Sequence, residues 1–413
     1  MAGDIFSDPR AWADMDSWRR AAVTLHASGP IHRVEPQDSD PFWAVISRDA
    51  IYEVERRAAV FTNAPEPVLI SRKAIAARPF PLRTLVHMDA PDHAKYRKLA
   101  QDWFRGPSLE RMQDRLADLS ARSVARLREA GGVCDFVSAV AERYPLETVL
   151  QILGLPESDF DQMLRLTREM FGQQDPDLRR GDGRRQAFAE VVGEMLAYFR
   201  ALAADRRANP TEDLASAIAN GTIDGGPIPV MDVLSYYLII ATAGHDSSSY
   251  AMAGGVQALA ENPRQFHRLK AEPDLLNNAV EEIFRWTSPA RHFMRTAQVD
   301  AEIAGQPVKA GDWIYLSYAA ANLDPAVFDD PLTFDIARPN ADRHATFGHG
   351  PHFCLGIQLA RMEMRSLFGA LAANLESLEP DGPAAFSQIT SVGGVKHLPI
   401  RYGLNPDLAE APA

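Results

Sequence analysis

The segment "TFGHGPHFCLG" (346–356) restricts the fold and the chemistry of this chain more than any other part of its sequence. Three glycines surround Cys354, and a run with helical periodicity (357–375) follows at once. Glycines let the backbone approach a flat, bulky group without Cβ clashes. A helix that begins beside the sulfur directs free N–H groups at a thiolate and lowers its basicity. One thiolate without a second cysteine nearby suits a macrocycle that already supplies four nitrogens, which is haem.

Two other interpretations of this segment stay open. A single cysteine in a glycine-rich turn is most often a buried structural residue. His344, His349, His352 and Cys354 also have the ligand types of a zinc site, although their spacing matches no common zinc motif and leaves the glycines without a role. The segment by itself therefore favours haem.

Length and composition are those of one large globular domain. No linker, repeat or long charge block divides the 413 residues, so we expect a single domain over 1–413 with short flexible termini at about 1–10 and 405–413. The net charge of −12 disfavours nucleic acid or an anionic membrane as partner. Two cysteines, no signal-peptide pattern and no apolar run long enough for a bilayer predict a cytoplasmic protein without a membrane anchor.

Helical periodicity dominates the chain, so the fold class predicted is mainly α with a small β portion. The clearest predicted helices are 183–207, about 230–261, 272–287 and the run after Cys354. Strands are predicted at 41–47, as short pieces within 301–318 around turns at 305–306 and 310–311, and as a hairpin within 389–402.

The long helix predicted at 230–261 contains the polar stretch "ATAGHDSSS" (241–249). Burying Gly244, Asp246 and three serines in an apolar helix is costly without partners. We expect these residues to open the helix locally into a groove for a diatomic ligand, with Asp246 and Ser247 placed for proton delivery. A kink or a close helix–helix contact is an equally good explanation.

Two pairs of charged residues have helical spacing. Glu282 and Arg285 share a helix face and can pair. His93 and Arg97 also share a face and can reach one anionic group, with Arg295 of "HFMRTA" as a further cation. Two haem propionates need such partners, whereas the alternative for each pair is an ordinary solvated surface contact.

Taken in order, these segments resemble a bacterial cytochrome P450. The motif FGxGxHxCxG is complete in Phe347, Gly348, Gly350, His352, Cys354 and Gly356. "IATAGHD", "FMRTA" and "SVGG" are similar to the branch of this family that hydroxylates α-terpineol. The resemblance runs from "PFWAVIS" to "HLPIRY" and implies the cytochrome P450 fold, haem b and a monooxygenase activity.

The resemblance also implies roles for individual residues. Cys354 would be the axial iron ligand, and Asp246 with Ser247 the catalytic acid–alcohol pair. Further haem-binding residues would be His93, Arg97, Arg295, His352, Phe347, Gly348, Gly356, Ala243 and Gly244. Structural residues would be Glu282, Arg285 and Arg338. The substrate pocket would be lined by Phe171, Ile240, Ala243, Phe293, Met294 and Val392, for which packing in the core is the alternative. Arg291 or His292 could anchor a polar end of the substrate, although exposure to solvent is the more common arrangement of such side chains.

Two positions depart from the family pattern. Ser247 stands where threonine is usual, so the hydroxyl is kept but the methyl that restricts its rotamer is lost. Oxygen use could therefore be coupled less tightly to product. Leu323 stands where many relatives have arginine, which removes one basic contact.

The resemblance implies a small hydrophobic substrate of terpenoid or aromatic hydrocarbon type, O2 and two electrons. Steroid or other biosynthetic oxidation by the same fold, and a non-catalytic haem-binding protein, are the alternatives. Because the chain has no flavin or nicotinamide motif, the electrons are expected from a [2Fe–2S] ferredoxin with its reductase. Such ferredoxins are acidic, and the candidates for a basic docking patch on the cysteine side are Arg72, Lys73, Lys98, Arg105, Arg361 and Arg365.

Overall fold

Helices account for most of the chain. The computed structural model describes residues 4–37, 39–76, 83–181 and 184–405. Its helices are α1 (Asp4–Ser7), α2 (Met15–His26), α3 (Arg48–Arg56), α4 (Arg72–Ala76), α5 (Asp92–Gln101), α6 (Pro107–Glu129), α7 (Arg143–Leu153), α8 (Phe160–Phe171), α9 (Arg184–Ala208), α10 (Leu214–Ala219), α11 (Val230–Glu261), α12 (Pro263–Ala271), α13 (Leu276–Thr287), α14 (Tyr318–Ala321) and α15 (Ile357–Asn374). The predicted helices at 183–207, 230–261, 272–287 and after Cys354 correspond to α9, α11, α13 and α15.

The strands are short and form small sheets. They are β1 (Ile31–Val34), β2 (Phe42–Val45), β3 (Phe61–Thr62), β4 (Val133–Asp135), β5 (Thr222–Ile223), β6 (Gly226–Pro227), β7 (His292–Ala297), β8 (Ala301–Ile303), β9 (Gln306–Val308), β10 (Trp313–Ser317), β11 (Leu375–Pro380), β12 (Ala385–Phe386), β13 (Val395–His397) and β14 (Pro399–Leu404). The largest sheet among the described residues has the order β1-β2-β10-β7-β3, with β10 parallel to β2 and the other neighbours antiparallel. The mainly α fold with a small β portion is confirmed.

α11 is the central element that positions the site. It is apolar along most of its length and packs against α7, α8, α9 and α13, so helices cover it on several sides. α5, β7 and the segment 345–356 lie around its middle and line one cavity with it. No helix among the described residues combines the length and apolar character needed to cross a membrane.

The C-terminal hairpin predicted at 389–402 is wrong. β13 pairs with β12, whereas β14 pairs with β11 and β4. Only Leu398 separates β13 from β14, and one residue is too short for the two-residue turn that reverses a hairpin. The strands predicted at 41–47 and within 301–318 are present as β2, β8, β9 and β10.

The N-terminal stretch expected to be flexible contains ordered contacts. Residues 4–7 form α1, and Phe6 is fully buried against Tyr315 of β10. Residues 1–3 and 406–413 lie outside the described residues.

Candidate active site

The loop that carries Cys354 is a tight turn built on two left-handed glycines. Gly348 and Gly350 both have φ of +67°, a conformation that costs little only for glycine. A Cβ on Gly350 would lie 2.5 Å from the carbonyl oxygen of Glu55, so the loop is also pressed against α3. The Cys354 N–H donates to the Phe347 carbonyl at 3.0 Å, and α15 begins three residues later.

The Cys354 sulfur is held in an apolar, partly cationic environment. Burial raises the pKa of the thiol, while the Gly356 backbone N–H and the nearby Arg97 and Arg361 lower it. The net shift is upward, opposite to what the helix N-terminus suggested, because desolvation of the sulfur exceeds the help from one N–H. A bound metal ion removes this proton outright, since a coordinating thiol is deprotonated.

The cysteine loop and the middle of α11 both line one cavity of about 1440 Å³. Phe347, Gly348, Cys354 and Gly356 line it from the loop, and α11 contributes residues that include Ala243, Gly244 and Ser247. The volume exceeds the roughly 300–1,000 Å³ usual for small-molecule sites, so a large flat cofactor and a substrate fit together.

Four donor side chains meet at one side of this cavity. His93 and Arg97 come from α5, Arg295 from β7 and His352 from the cysteine loop, and all four line the cavity. The His93 and His352 rings are 4.0 Å apart, and Arg97 Nη2 also donates to the Phe353 carbonyl at 2.7 Å. His93 Nε2 is buried with no hydrogen-bond partner among the described residues. The cluster therefore has unused capacity for an anion.

The electrostatics of this cluster point the same way. Burial, followed by repulsion from His93, Arg295 and Arg97, lowers the pKa of His352 to about 2. Burial and Arg97 lower the pKa of His93 to about 4. Carboxylates placed among these groups would relieve the repulsion and raise both pKa values. The cluster has the charge and donors that two haem propionates require.

The zinc alternative finds no support in the geometry. No group of three or more His, Cys, Asp or Glu side chains within the described ranges is placed to hold a metal ion. His344 instead hydrogen-bonds Glu281 at 3.2 Å, and His349 stacks on Tyr52 at 4.4 Å. The site therefore suits a metal that is bound by one protein thiolate and by the nitrogens of a macrocycle.

The groove expected in α11 arises without a break in the helix. α11 is continuous through 241–249, and Ser247 Oγ donates to the Ala243 carbonyl at 2.8 Å. Gly244 is in close contact with α7, because a Cβ there would lie 2.9 Å from Val149. The predicted local opening is therefore wrong, and the alternative interpretation, a close contact between helices, is the one that the structure shows at Gly244.

Asp246 and Ser247 lie on different sides of α11. Ser247 lines the cavity, whereas Asp246 is 6% exposed and does not line it. Asp246 Oδ2 is buried without a hydrogen-bond partner among the described residues. Burial, and then the carboxylate of Glu142, raise the pKa of Asp246 to about 8, although Arg168 lowers it. Arg168 is engaged by Glu142, to which its Nε donates at 2.6 Å. Asp246 is therefore harder to ionise than an exposed aspartate.

Glu282, Arg285 and Arg338 form a fully buried ion cluster. Arg285 donates to both Glu282 oxygens at 2.7 Å, and Arg338 Nε reaches them at 3.2 and 3.3 Å. Arg285 also binds the carbonyls of Asn322 and Pro331. The cluster therefore ties α13 to the segment that leads into the cysteine loop. Leu323, the departure from the family pattern, packs in the apolar core next to this segment.

Most of the predicted substrate-lining residues do line the cavity. Phe171, Ile240, Ala243, Phe293 and Val392 face it. Met294 is a correction: it is 2% exposed and packs with Trp313 and Tyr315 on the other side of the sheet. Strand side chains alternate, so β7 directs Phe293 and Arg295 into the cavity and Met294 away from it.

Arg291 and His292 are not substrate anchors. Neither lines the cavity, and each is at most 2% exposed. The Arg291 guanidinium donates to the carbonyls of Ser387 and Ile389 and lies over Trp12. His292 Nε2 accepts from the Leu69 N–H at 2.9 Å, and its Nδ1 is bonded to the Thr390 carbonyl. Both side chains fasten loops around the cavity.

A buried ion pair closes one wall of the cavity. Lys396 Nζ contacts the carboxylate of Asp175 at 2.9 and 3.0 Å and that of Asp177 at 2.6 Å. Asp175 is fully buried and follows α8, and Gln174 accepts from the Thr390 N–H. Since residues from 171–179 and 388–392 line the cavity, this pair fastens two of its walls to each other.

The predicted basic patch divides into two groups. Lys98, Arg105, Arg361 and Arg365 lie on or just after α5 and on α15, the elements that flank the cysteine loop. Phe353, next to Cys354, is 39% exposed there. Arg72 and Lys73 are a correction: they lie on α4, where Arg72 donates to the Gly311 carbonyl just before β10, the central strand of the five-stranded sheet. Arg361 is also bound to Glu281 through two nitrogens.

Sequence reasoning missed two buried acids in the cavity wall. Glu55 of α3 binds Arg295 and Tyr318, and Glu363 of α15 accepts from Ser248 Oγ at 3.0 Å. Burial raises the pKa of Glu363 to about 8. Both lie on helices rich in charged residues, so no sequence signal separates them from surface glutamates.

Comparisons with known proteins agree with this geometry. The family model for cytochrome P450 matches residues 27–397. Cytochrome P450-terp from Pseudomonas sp. is 36% identical over 410 residues, covering 95% of each protein. A steroid C26-monooxygenase from Mycolicibacterium smegmatis is 33% identical over 92% of this chain and 89% of its own length.

Solved structures show the same architecture. CYP108D1 from Novosphingobium aromaticivorans superposes with a TM-score of 0.89 at 41% identity, covering 98% of each chain. CYP268A2 from Mycobacterium marinum, solved in complex with pseudoionone, has a TM-score of 0.88 at 30% identity, covering 95% of this chain and 97% of its own.

Proposed function

Since the chain belongs to the cytochrome P450 family and is a haem-thiolate monooxygenase, we propose that it hydroxylates a small hydrophobic substrate with electrons from a [2Fe–2S] ferredoxin. The carrying observation is one cavity that is lined by Cys354, by the donor side chains of His93, Arg97, Arg295 and His352, and by Ser247 with several apolar residues. Haem b, held by these residues, would supply the oxygen chemistry, in which one atom of O2 enters a C–H bond of the substrate and the other leaves as water with two electrons and two protons. We further propose that the enzyme is cytoplasmic, as expected of a chain with two free cysteines.

The chain itself supplies position and protons. Phe171, Ile240, Phe293 and Val392 present apolar surface that orients a hydrophobic substrate and excludes water. Ser247 Oγ donates to the Ala243 carbonyl and can turn this proton into the cavity by rotation about the Cβ–Oγ bond. Asp246, whose raised pKa favours the protonated form, is the neighbouring proton source that we assign to this path, on the buried side of α11.

Substitutions at Ser247 test this proton path. We expect Ser247→Thr to raise, and Ser247→Ala to lower, the product formed per O2 consumed, because threonine restricts the rotamer and alanine removes the hydroxyl. The Cys354→Ala variant should lose the ferrous–CO spectrum of a haem thiolate. Equal coupling in all three Ser247 forms would contradict the role given to this hydroxyl.

The substrate is best identified by optical titration. Similarity to cytochrome P450-terp supports a terpenoid, and similarity to a steroid C26-monooxygenase supports a steroid as second candidate. The cavity of about 1440 Å³ admits either. Monocyclic terpene alcohols, alkylated aromatics and steroids should be compared by the spin-state shift of the ferric haem. Tighter binding of steroids than of terpenoids would replace the first proposal by the second.

The ferredoxin should dock at the exposed face around Phe353. Lys98 and Arg105 are exposed there, and an acidic partner would be drawn to them at low salt. We expect the double variant Lys98→Gln with Arg105→Gln to slow haem reduction and to flatten its salt dependence. The matched control neutralises Lys73 and Lys309, which lie away from the cysteine loop. Equal effects of the two double variants would contradict this docking face.

A further inference from the structure

Glu55 is a buried acid that the fold leaves half-satisfied. Glu55 is 3% exposed, and its Oε1 accepts hydrogen bonds from the Tyr318 hydroxyl at 2.6 Å and from Arg295 Nη2 at 3.2 Å. Oε2 is buried and has no partner of hydrogen-bond geometry among the described residues. The side chain lines the large cavity, and the His349 backbone N–H is a further donor near its carboxyl group, so Oε2 is the oxygen without a partner of hydrogen-bond geometry there.

This carboxyl lies within the haem-binding surroundings. Arg295, which the Glu55 carboxyl group contacts, also lies near His93, Arg97 and His352, the donor side chains proposed to bind the haem propionates. A Cβ on Gly348 would be 3.2 Å from Glu55 Oε1, so the acid touches the loop that leads to Cys354. A propionate bound by Arg295 would therefore lie close to a second carboxyl group, that of Glu55.

Two carboxylates cannot share one arginine without cost in a buried place. Burial raises the pKa of Glu55 to about 7, even though Arg295, the Tyr318 hydroxyl and the His349 backbone N–H lower it. A propionate on Arg295 adds a like charge and takes up part of the guanidinium, which raises this pKa further. A carboxyl that keeps its proton avoids the repulsion and gains a donor.

We propose that Glu55 is a haem-positioning residue that stays protonated in the holoenzyme and donates a hydrogen bond from Oε2 to a haem propionate, while Oε1 accepts from Tyr318. The inference rests on haem binding through Arg295. It assigns to α3 a direct contact with the cofactor that no motif of the sequence indicates.

The proposal makes haem affinity depend on pH in a defined direction. The charged and titratable groups that face Glu55 from other elements are Arg295 of β7 and Tyr318 of α14, and burial raises the pKa of Tyr318 well above its usual value. Tyr52 of α3 also lies near Glu55, and burial raises the pKa of this tyrosine as well. On its own helix, Arg56 is turned to His349 and Arg57 to Glu53. Below the pKa of the haem-free protein the acid is protonated in both states, so it adds no pH dependence. Above about 7 haem binding takes up a proton, and affinity falls by up to about tenfold per pH unit until the holoenzyme's own pKa is passed.

Haem transfer from the holoenzyme to excess apomyoglobin, followed from pH 6 to 9, tests the proposal. Glu55→Gln keeps the shape and both hydrogen bonds but cannot ionise, so the ratio of wild-type to Glu55→Gln haem loss should rise about tenfold or more across this range. The ratio cancels contributions that both proteins share, including ionisation of Cys354. Glu53→Gln, the same charge change on the solvent side of α3, should follow the wild type.

Two results would overturn the proposal. One is a wild-type profile that is flat or parallel to that of Glu55→Gln. The other is an infrared difference spectrum, recorded on reduction of the haem, without a protonated-carboxyl band that Glu55→Gln removes and Glu53→Gln retains. If Glu55→Gln does not incorporate haem, the wild-type profile decides, because a flat wild-type curve already refutes a proton taken up above pH 7.

Discussion

Replacing Glu282 by glutamine should destabilise this protein severely although the side chain keeps its size. Glu282 is fully buried and accepts four guanidinium contacts, two from Arg285 and two from Arg338, and also the backbone N–H of Asp335. An amide has one acceptor oxygen, so whichever way it is turned, its NH2 group meets guanidinium donors. Two arginines are then left buried with no counter-charge.

The magnitude follows from the bonds lost. Each hydrogen bond to a charged group contributes about 1.5–3 kcal/mol, and at least two are lost, which gives about 3–6 kcal/mol. Removal of one partner from a buried ion pair typically costs about 3–5 kcal/mol, in agreement. With an unfolding entropy of about 2.1 cal/mol/K per residue, 413 residues give about 0.9 kcal/mol/K, so about 4 kcal/mol lowers Tm by about 4–5 °C.

Differential scanning calorimetry at one scan rate and equal haem loading measures this shift. The matched control is Glu272→Gln, which breaks an exposed Glu–Arg pair with Arg268 on α12 and should move Tm by less than about 1 °C. A Glu282→Gln protein as stable as Glu272→Gln would refute the view that this buried cluster is held by charge.

Three further substitutions test other parts of the site. Gly350→Ala should displace the cysteine loop and weaken the ferrous–CO spectrum of a haem thiolate, because Gly350 has a positive φ and a Cβ there would lie 2.5 Å from a backbone oxygen. Gly193→Ala on α9, which has open space around it, should leave this spectrum unchanged, and equal spectra for the two variants would contradict the prediction. Asp246→Asn should stabilise the fold by an amount that grows from about pH 4 to pH 8 and is then constant, because the raised pKa of Asp246 in the folded wild type makes the wild type lose stability over this range. Urea titrations in which the free energies of unfolding of the two proteins differ by the same amount at every pH would contradict this. Lys396→Met should leave the buried Asp175 without a counter-charge and speed substrate association in stopped-flow measurements, because the ion pair joins two walls of the cavity. An unchanged association rate would argue against this role of the ion pair.

The haem ligand and the elements around it could be predicted from the chain alone. The glycines before Cys354 and the helix after it are local features, and the structure places them as a positive-φ turn followed by α15. The long helices likewise follow from apolar periodicity, which is why α9, α11, α13 and α15 appear close to their predicted bounds.

Side-chain direction was harder to predict because it depends on neighbouring elements. Met294 lies one residue from Phe293 and Arg295, yet strand alternation directs it into the opposite core. Arg291 and His292 look like polar groups available to a substrate, but carbonyls from distant loops occupy both. Arg72 and Lys73 carry the charge expected of a docking patch but lie on a helix beside the five-stranded sheet.

The sequence by itself determined the family, the thiolate ligand and the helical framework, because these depend on motifs and periodicities that are local in the chain. Only the tertiary structure decided which acids are buried at the wall of the cavity. Glu55 is 240 residues from Arg295 and 263 from Tyr318 in the chain, and it becomes a candidate haem contact only when α3, β7 and α14 pack together. Desolvation and charge pairing are properties of that packing, so the raised pKa values of Glu55 and Asp246 could not be read from the order of residues.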